Sequence, residues 1–242
     1  MLKIGHRGAK AYAPENTISS FRKALELGVD MIELDVRVTK DKYPVVVHDN
    51  KLHRLTKEFL RLDRLTLDQV KKRRVHEIET IPTLAEVLEV TDSVVDLNIE
   101  LKVKASAQIV VQTLRDYKIN FDKVMISSNY PGEIRRVKAL APNITTALIV
   151  RELRQPFTFW VVLDFLALLL LPLTKNYLVW VVRHAHADYV NLNHHFLDRK
   201  KVEILKREGV KICAWTVNNP KKIEYLKNLG IDGIITNYPD RL

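Results

Sequence analysis

The sequence predicts an α/β fold of the (β/α)8 barrel type, a ring of eight parallel strands wrapped in helices. Three observations carry that expectation. Eight short β-branched runs recur along the chain, amphipathic stretches lie between them, and no Gly-rich phosphate loop follows the first run to support the alternative of an open doubly wound sheet. Strands alternating with helices imply parallel pairing through right-handed crossovers, and eight such units close on themselves. The chain has 242 residues, 47% of them apolar, enough for one barrel with a large core. No linker divides it, so residues 1–242 are read as a single domain.

Strand one is "LKIGH", followed by "ISSFRKALEL", whose apolar residues fall at helical spacing. Strand two, "DMIELDV", leads to a strand-like "YPVVV" and then to charged, irregular sequence, so residues 51–80 are read as a small inserted subdomain before the helix "TLAEVLEV". Strand three is "SVVDLNIEL" with helix "AQIVVQTLRDY", and strand four "DKVMIS" with helix "GEIRRVKAL". Strand five, "TTALIV", precedes an apolar insertion at residues 156–182. Strand six, "DYVNL", strand seven, "VKICAW", and strand eight, "DGIIT", are separated by the amphipathic "DRKKVEILKRE" and "PKKIEYLKNLG". After strand eight only "NYPDRL" remains, so neighbouring helices or another subunit are expected to cover that flank.

The formal net charge of +10 suits a nucleic acid, an anionic membrane surface or an anionic small substrate. Most of the 39 Lys and Arg are scattered over helical faces, and only Lys71 to Arg74 form a run, so no nucleic-acid partner is expected. The single cysteine, Cys213, suits a reducing compartment, and Met1 to Ile4 leave no room for a targeting segment. The reading is therefore a cytoplasmic protein.

Active sites of parallel barrels sit at the C-terminal ends of the strands. His6 and Arg7 end strand one there. On strand two Glu33 and Asp35 share a face because side chains alternate with period two, and on strand three Glu100 and Lys102 do the same. Adjacent strands would bring three carboxylates together, where repulsion raises their pKa values or expels one unless a cation is present. Oxygen-only ligands select a hard ion, Mg2+ or Ca2+. His48, joined to Asp49, and His6 flank that carboxylate strand on opposite sides. His53, His76, His184, His186, His194 and His195 are read as structural or surface residues, and "HAH" at 184–186 lacks the further ligands that zinc needs.

In "HRG" with "PENT", "ELDVRVTKDKYPVVVHD", "IPTLAEVLE", "LNIELK", "APNI", "AWTVNNP" and "DGIITNYPD", all in order, the chain resembles the glycerophosphodiester phosphodiesterases along nearly its whole length. The resemblance implies a TIM barrel that hydrolyses glycerophosphodiesters to glycerol 3-phosphate and an alcohol. By motif match, Glu33, Asp35 and Glu100 would hold one divalent cation, His6 and His48 would be the acid/base pair, Arg7 would bind phosphate and Lys102 would add positive charge beside it. The insertion at 51–80 matches the small subdomain this family carries after strand two. Trp215, ending strand seven, is read as a wall for the glycerol moiety, with a core aromatic as the alternative. One departure is Asn129 with Tyr130, where the family usually has an aromatic residue after "ISS".

The run "PFTFWVVLDFLALLLLPL", Pro156 to Leu173, carries one charge, and a barrel helix should have a polar face. A helix over 157–171 would be roughly 22–24 Å long, short of a bilayer core of about 30 Å. Three readings stay open for 157–182: peripheral docking on the inner face of the membrane, a homodimer contact, or a lid over the mouth. Docking would favour a lysophospholipid substrate, cleaved as by a lysophospholipase D. A non-catalytic barrel that binds phosphorylated headgroups is the remaining alternative, and the intact His6, His48 and carboxylates argue against it.

Overall fold

The computed structural model describes residues 1–91, 94–150 and 177–242. Strand β1 (Leu2–Gly5) leads through a loop to helix α1 (Ile18–Glu26), capped where Thr17 Oγ1 accepts from the Ser20 amide. Strand β2 (Met31–Val38) follows, and β3 (Pro44–Val46) turns back antiparallel on it. The insertion contains α2 (His53–Thr56), α3 (Leu67–Lys71) and a small hairpin, β4 (Arg74–Val75) with β5 (Glu79–Thr80). The chain then alternates through α4 (Leu84–Thr91), β6 (Asp96–Leu101), α5 (Ala107–Asp116), β7 (Val124–Ser128), α6 (Pro131–Leu140) and β8 (Thr145–Val150). After it come α7 (Tyr177–His184), β9 (Tyr189–Asn193), α8 (Arg199–Arg207), β10 (Lys211–Trp215), α9 (Pro220–Asn228) and β11 (Gly233–Thr236).

Strands β1, β2, β6, β7, β8, β9, β10 and β11 pair in parallel in that order, and β11 pairs back onto β1 with Leu2 opposite Gly233. The ring is closed, a (β/α)8 barrel built from the eight runs that the sequence marks as strands. Strand β2 shows how the barrel is filled. Ile32, Leu34 and Val36 face outward, wholly buried under the helices, while Met31, Glu33 and Asp35 alternate with them and face inward. Inside the barrel, Ile4, Met31, Met125, Ala147, Cys213 and Ile235 form one apolar cluster. Glu33, Asp35, Asn98 and Glu100 lie on rungs nearer the C-terminal strand ends than Met31, so this cluster is the floor beneath the site.

Two clusters join helices to strands outside the barrel, one under α1, α4 and α5 and the other under α7, α8 and α9. Val179 and Val182 of α7 are buried in the second cluster, which gives residues 177–182 a place in the barrel's helical layer. The insertion has its own core of Leu52, Leu55, Leu62, Val70 and Val75 against Val45, Val47 and Ile81. Residues 151–176, and with them the readings of 157–171 as a helix and of its docking face, lie outside the described residues. Among the described residues no helix is long and apolar enough to cross a membrane.

Candidate active site

The loop after β1 is shaped by backbone that L side chains rarely adopt. Arg7 has φ 53° and Gly8 φ 83°, and a Cβ on Gly8 would lie 2.6 Å from the Ser20 carbonyl. That turn lets the Arg7 amide donate to Glu33 Oε2 at 2.8 Å while the guanidinium Nε lies 3.1 Å from Asp35 Oδ2. Asn16, also left-handed at φ 58°, donates from Nδ2 to Asp35 Oδ2 at 2.8 Å and accepts the Asp35 amide at 3.2 Å. An asparagine suits both demands, since it tolerates this backbone region and carries a donor and an acceptor.

Register brings the carboxylates together. Asp35 pairs with Glu100 across β2 and β6, and Glu33 lies one rung deeper beside Asn98. Oxygens of Glu33, Asp35 and Glu100 lie within 4.8 Å of one another, the one such cluster among the described residues. Lys102 Nζ reaches Glu100 Oε1 at 2.6 Å and Asp35 Oδ1 at 3.3 Å. Burial, then Asp35 and Glu100, push Glu33 well above the usual carboxylate range. Burial acts on Asp35 in the same direction, but Lys102 and Arg7 outweigh it and hold Asp35 below the range. Asp35 Oδ1 is buried and accepts no hydrogen bond. An all-oxygen set with such an acceptor fits a hard divalent cation.

The two histidines stand at this cluster with similar second partners. His6 Nδ1 lies 2.6 Å from Asn237 Oδ1, an acceptor, so Nδ1 carries the proton and Nε2 is left as an acceptor 4.0 Å from Glu33. Burial and then Arg7 lower the His6 pKa to about 4, so the ring is neutral. His48 follows β3, where Val47 N donates to Asp35 O at 2.8 Å and Arg37 Nε to His48 O at 2.7 Å. Its Nδ1 meets Asp49 Oδ1 at 2.6 Å, and burial lowers its pKa despite Asp35 and Asp49.

One cavity with about 500 Å³ of empty space opens at this end of the barrel. His6, Arg7, Glu33, His48, Glu100, Lys102 and Trp215 all line it, so these sequence-derived candidates meet in one place, with Asp35 beneath them in the carboxylate cluster. Trp215 Nε1 donates to Asn191 O at 3.0 Å, which fixes the indole as part of the wall. Sequence reasoning assigned no role to Glu15, Asn16, Asp49, Arg54 or Asn237. Glu15 and Asn16 belong to the "PENT" run and Asn237 to "NYPD", but their partners are set only by the folded loops.

A family model described as the glycerophosphoryl diester phosphodiesterase family matches residues 6–241. The chain belongs to that family. Its members are hydrolases, and so is this chain. It is 35% identical over 251 residues to YhdW of Bacillus subtilis (strain 168), an alignment covering 99% of this chain and 96% of that one. It is 32% identical over 255 residues to the glycerophosphodiester phosphodiesterase of Caldanaerobacter subterraneus subsp. tengcongensis, covering 100% of this chain and 96% of its relative. Among solved structures, an Oleispira antarctica phosphodiesterase in complex with the product sn-glycerol-3-phosphate superposes with a TM-score of 0.81 at 26% identity, covering 98% of this chain and 93% of the other. That likeness extends the family match to the whole barrel.

Proposed function

We propose that this family member hydrolyses glycerophosphodiesters to sn-glycerol 3-phosphate and an alcohol, with a divalent cation, Mg2+ or Ca2+, held by Glu33, Asp35 and Glu100. The observation that carries the reading is the meeting of three carboxylates, two oriented histidines and Arg7 at one cavity in a chain of this family. When bound, the cation supplies Lewis-acid neutralisation of phosphodiester charge. Arg7, held by Glu15 and Asp35, orients the phosphate oxygens and offsets their charge. His6, neutral with Nε2 open to the cavity, takes the proton of the attacking hydroxyl at that atom. His48 delivers a proton from Nε2 to the leaving oxygen, and the Asp49 carboxylate on Nδ1 compensates the positive charge of its protonated form. Lys102 keeps Asp35 ionised and adds positive charge at the phosphate side. Trp215 forms the wall against which the glycerol carbons lie.

The test is an assay of purified protein with Mg2+ or Ca2+, offered glycerophosphocholine, glycerophosphoethanolamine and a lysophospholipid. Glycerol 3-phosphate and lysophosphatidic acid are quantified separately. Cation-dependent release of glycerol 3-phosphate from a water-soluble diester is expected. Full activity after exhaustive chelation would remove the cation from the scheme, and turnover of the lysophospholipid alone would replace the proposed substrate class.

A further inference from the structure

We propose that Arg54, supplied by the 51–80 insertion, is a positioning residue that locks His48 and Arg7 into one arrangement. The proposal rests on the reading that those two side chains act on a phosphodiester. Arg54 Nε donates to Asp49 Oδ2 at 2.8 Å, and its Nη2 lies 2.7 Å from the same oxygen and 2.5 Å from Glu15 Oε1. Asp49 uses its other oxygen on His48 Nδ1, and Glu15 Oε1 also accepts from Arg7 Nη1 at 2.7 Å. One guanidinium therefore closes the chain His48–Asp49–Arg54–Glu15–Arg7. Those residues come from three separate segments: the loop after β1, the turn after β3, and α2 of the insertion.

An exposed ion pair would ordinarily contribute little, and the Arg54 side chain is 48% exposed. Its partner is different. Glu15 is 3% exposed and receives Arg7, Arg54 and Lys10, and these cations outweigh burial to hold its pKa at about 2. The planar fork of arginine can serve two carboxylates at once, which a lysine ammonium cannot do in the same geometry. Without Arg54, Glu15 keeps Arg7 and Lys10, whereas Asp49 keeps only His48 as a direct side-chain partner among the described residues, with Arg37 acting on it at longer range. The loss should therefore fall harder on the His48 step, in kcat, than on phosphate binding, in KM.

The experiment compares wild type, Arg54→Ala, Arg54→Lys, Asp49→Asn and the Arg54→Ala/Asp49→Asn double variant in glycerophosphocholine turnover, with Arg61→Ala as a control, since Arg61 pairs with Asp63 on the insertion surface. Arg54→Ala should lower kcat by ~10²-fold, the scale of a misplaced catalytic group, with a smaller rise in KM and partial recovery in Arg54→Lys. The double variant should be hardly worse than Asp49→Asn alone. Imidazole 15N shifts of His48, with His195 as reference, are read in the same proteins and should move in Arg54→Ala. That measurement needs no turnover, so an inactive wild type would count against the proposed reaction while the link from Arg54 to His48 is still read directly. Unchanged kcat with only a lower Tm, additive effects, or an unmoved His48 resonance would each overturn the proposal. Should Arg54→Ala fail to fold, the kcat and His48 shifts of Arg54→Lys decide it in the same way.

Discussion

Glu33 and Asp35 are two residues apart on one face of β2 and are both buried, yet they are held at opposite ends of the carboxylate range. The difference is their cations, because Asp35 has Lys102 and Arg7 while Glu33 has mainly its acidic neighbours. Period two made the shared face legible in the sequence, but which acid keeps its proton depends on contacts across loops. Glu15 was hidden for the same reason, since its partner Arg54 lies 39 positions away. Its depressed pKa gives a stability prediction. The folded protein holds Glu15 ionised down to about pH 2, whereas the unfolded chain protonates near 4.5. The contribution is complete above pH 4.5 and is lost as pH falls through 2, on the order of 3 kcal/mol in all. Urea midpoints measured from pH 2 to 7 should fall at the acid end in wild type and less steeply in Glu15→Gln, and parallel curves would refute the assignment. At the histidines, His6→Ala and His48→Ala should each lower kcat by at least ~10²-fold without additivity, and near-normal kcat in either variant would remove that residue from proton transfer.

Elements with a sustained period were legible, and those without one were not. All eight barrel strands and the six amphipathic helices read from the sequence stand where their patterns put them, whereas the two-residue strands of the insertion's hairpin are too short to show alternation. The turn after β1 is a further case, because "HRG" names the residues but not the left-handed backbone that aims them. Gly8 is decisive there. Its φ of 83° and the backbone of Ser20 of α1 exclude a side chain, so Gly8→Ala must move either the turn or the helix. The cost should be ~1–3 kcal/mol of strain or more. Because the Arg7 amide and guanidinium both depend on this turn, kcat/KM should fall further than stability explains. Kinetics well below the melting temperature, where the variant is folded by circular dichroism, check this, and wild-type kinetics there would show that the turn does not position Arg7.

At the scale of the molecule, the barrel brings Glu33 and Asp35 of β2 against Glu100 of β6, two strands that the sequence separates by the whole insertion and α4. A cation bound there would join the strands and exist only in the folded state, so it should stabilise the entire barrel by mass action. At a hundredfold excess over Kd the gain is about 2.7 kcal/mol, which for a chain of this size raises Tm by roughly 5–10 °C. The raised pKa of Glu33 fixes the sign of the pH dependence. Below its raised pKa a proton must leave when the cation enters, so affinity falls as pH falls and binding acidifies the solution; above that pKa no proton is released. Thermal melts with Mg2+ and with Ca2+ over a pH series, together with calorimetry in buffers of different ionisation enthalpy, measure both effects. Asp35→Asn should abolish the Tm rise, because it removes the carboxylate that Lys102 and Arg7 keep ionised. A wild-type protein whose Tm is indifferent to both cations at every pH would mean that Lys102 and Arg7 neutralise the three carboxylates by themselves, and the acidic cluster would then be an internal ion network and not a metal site.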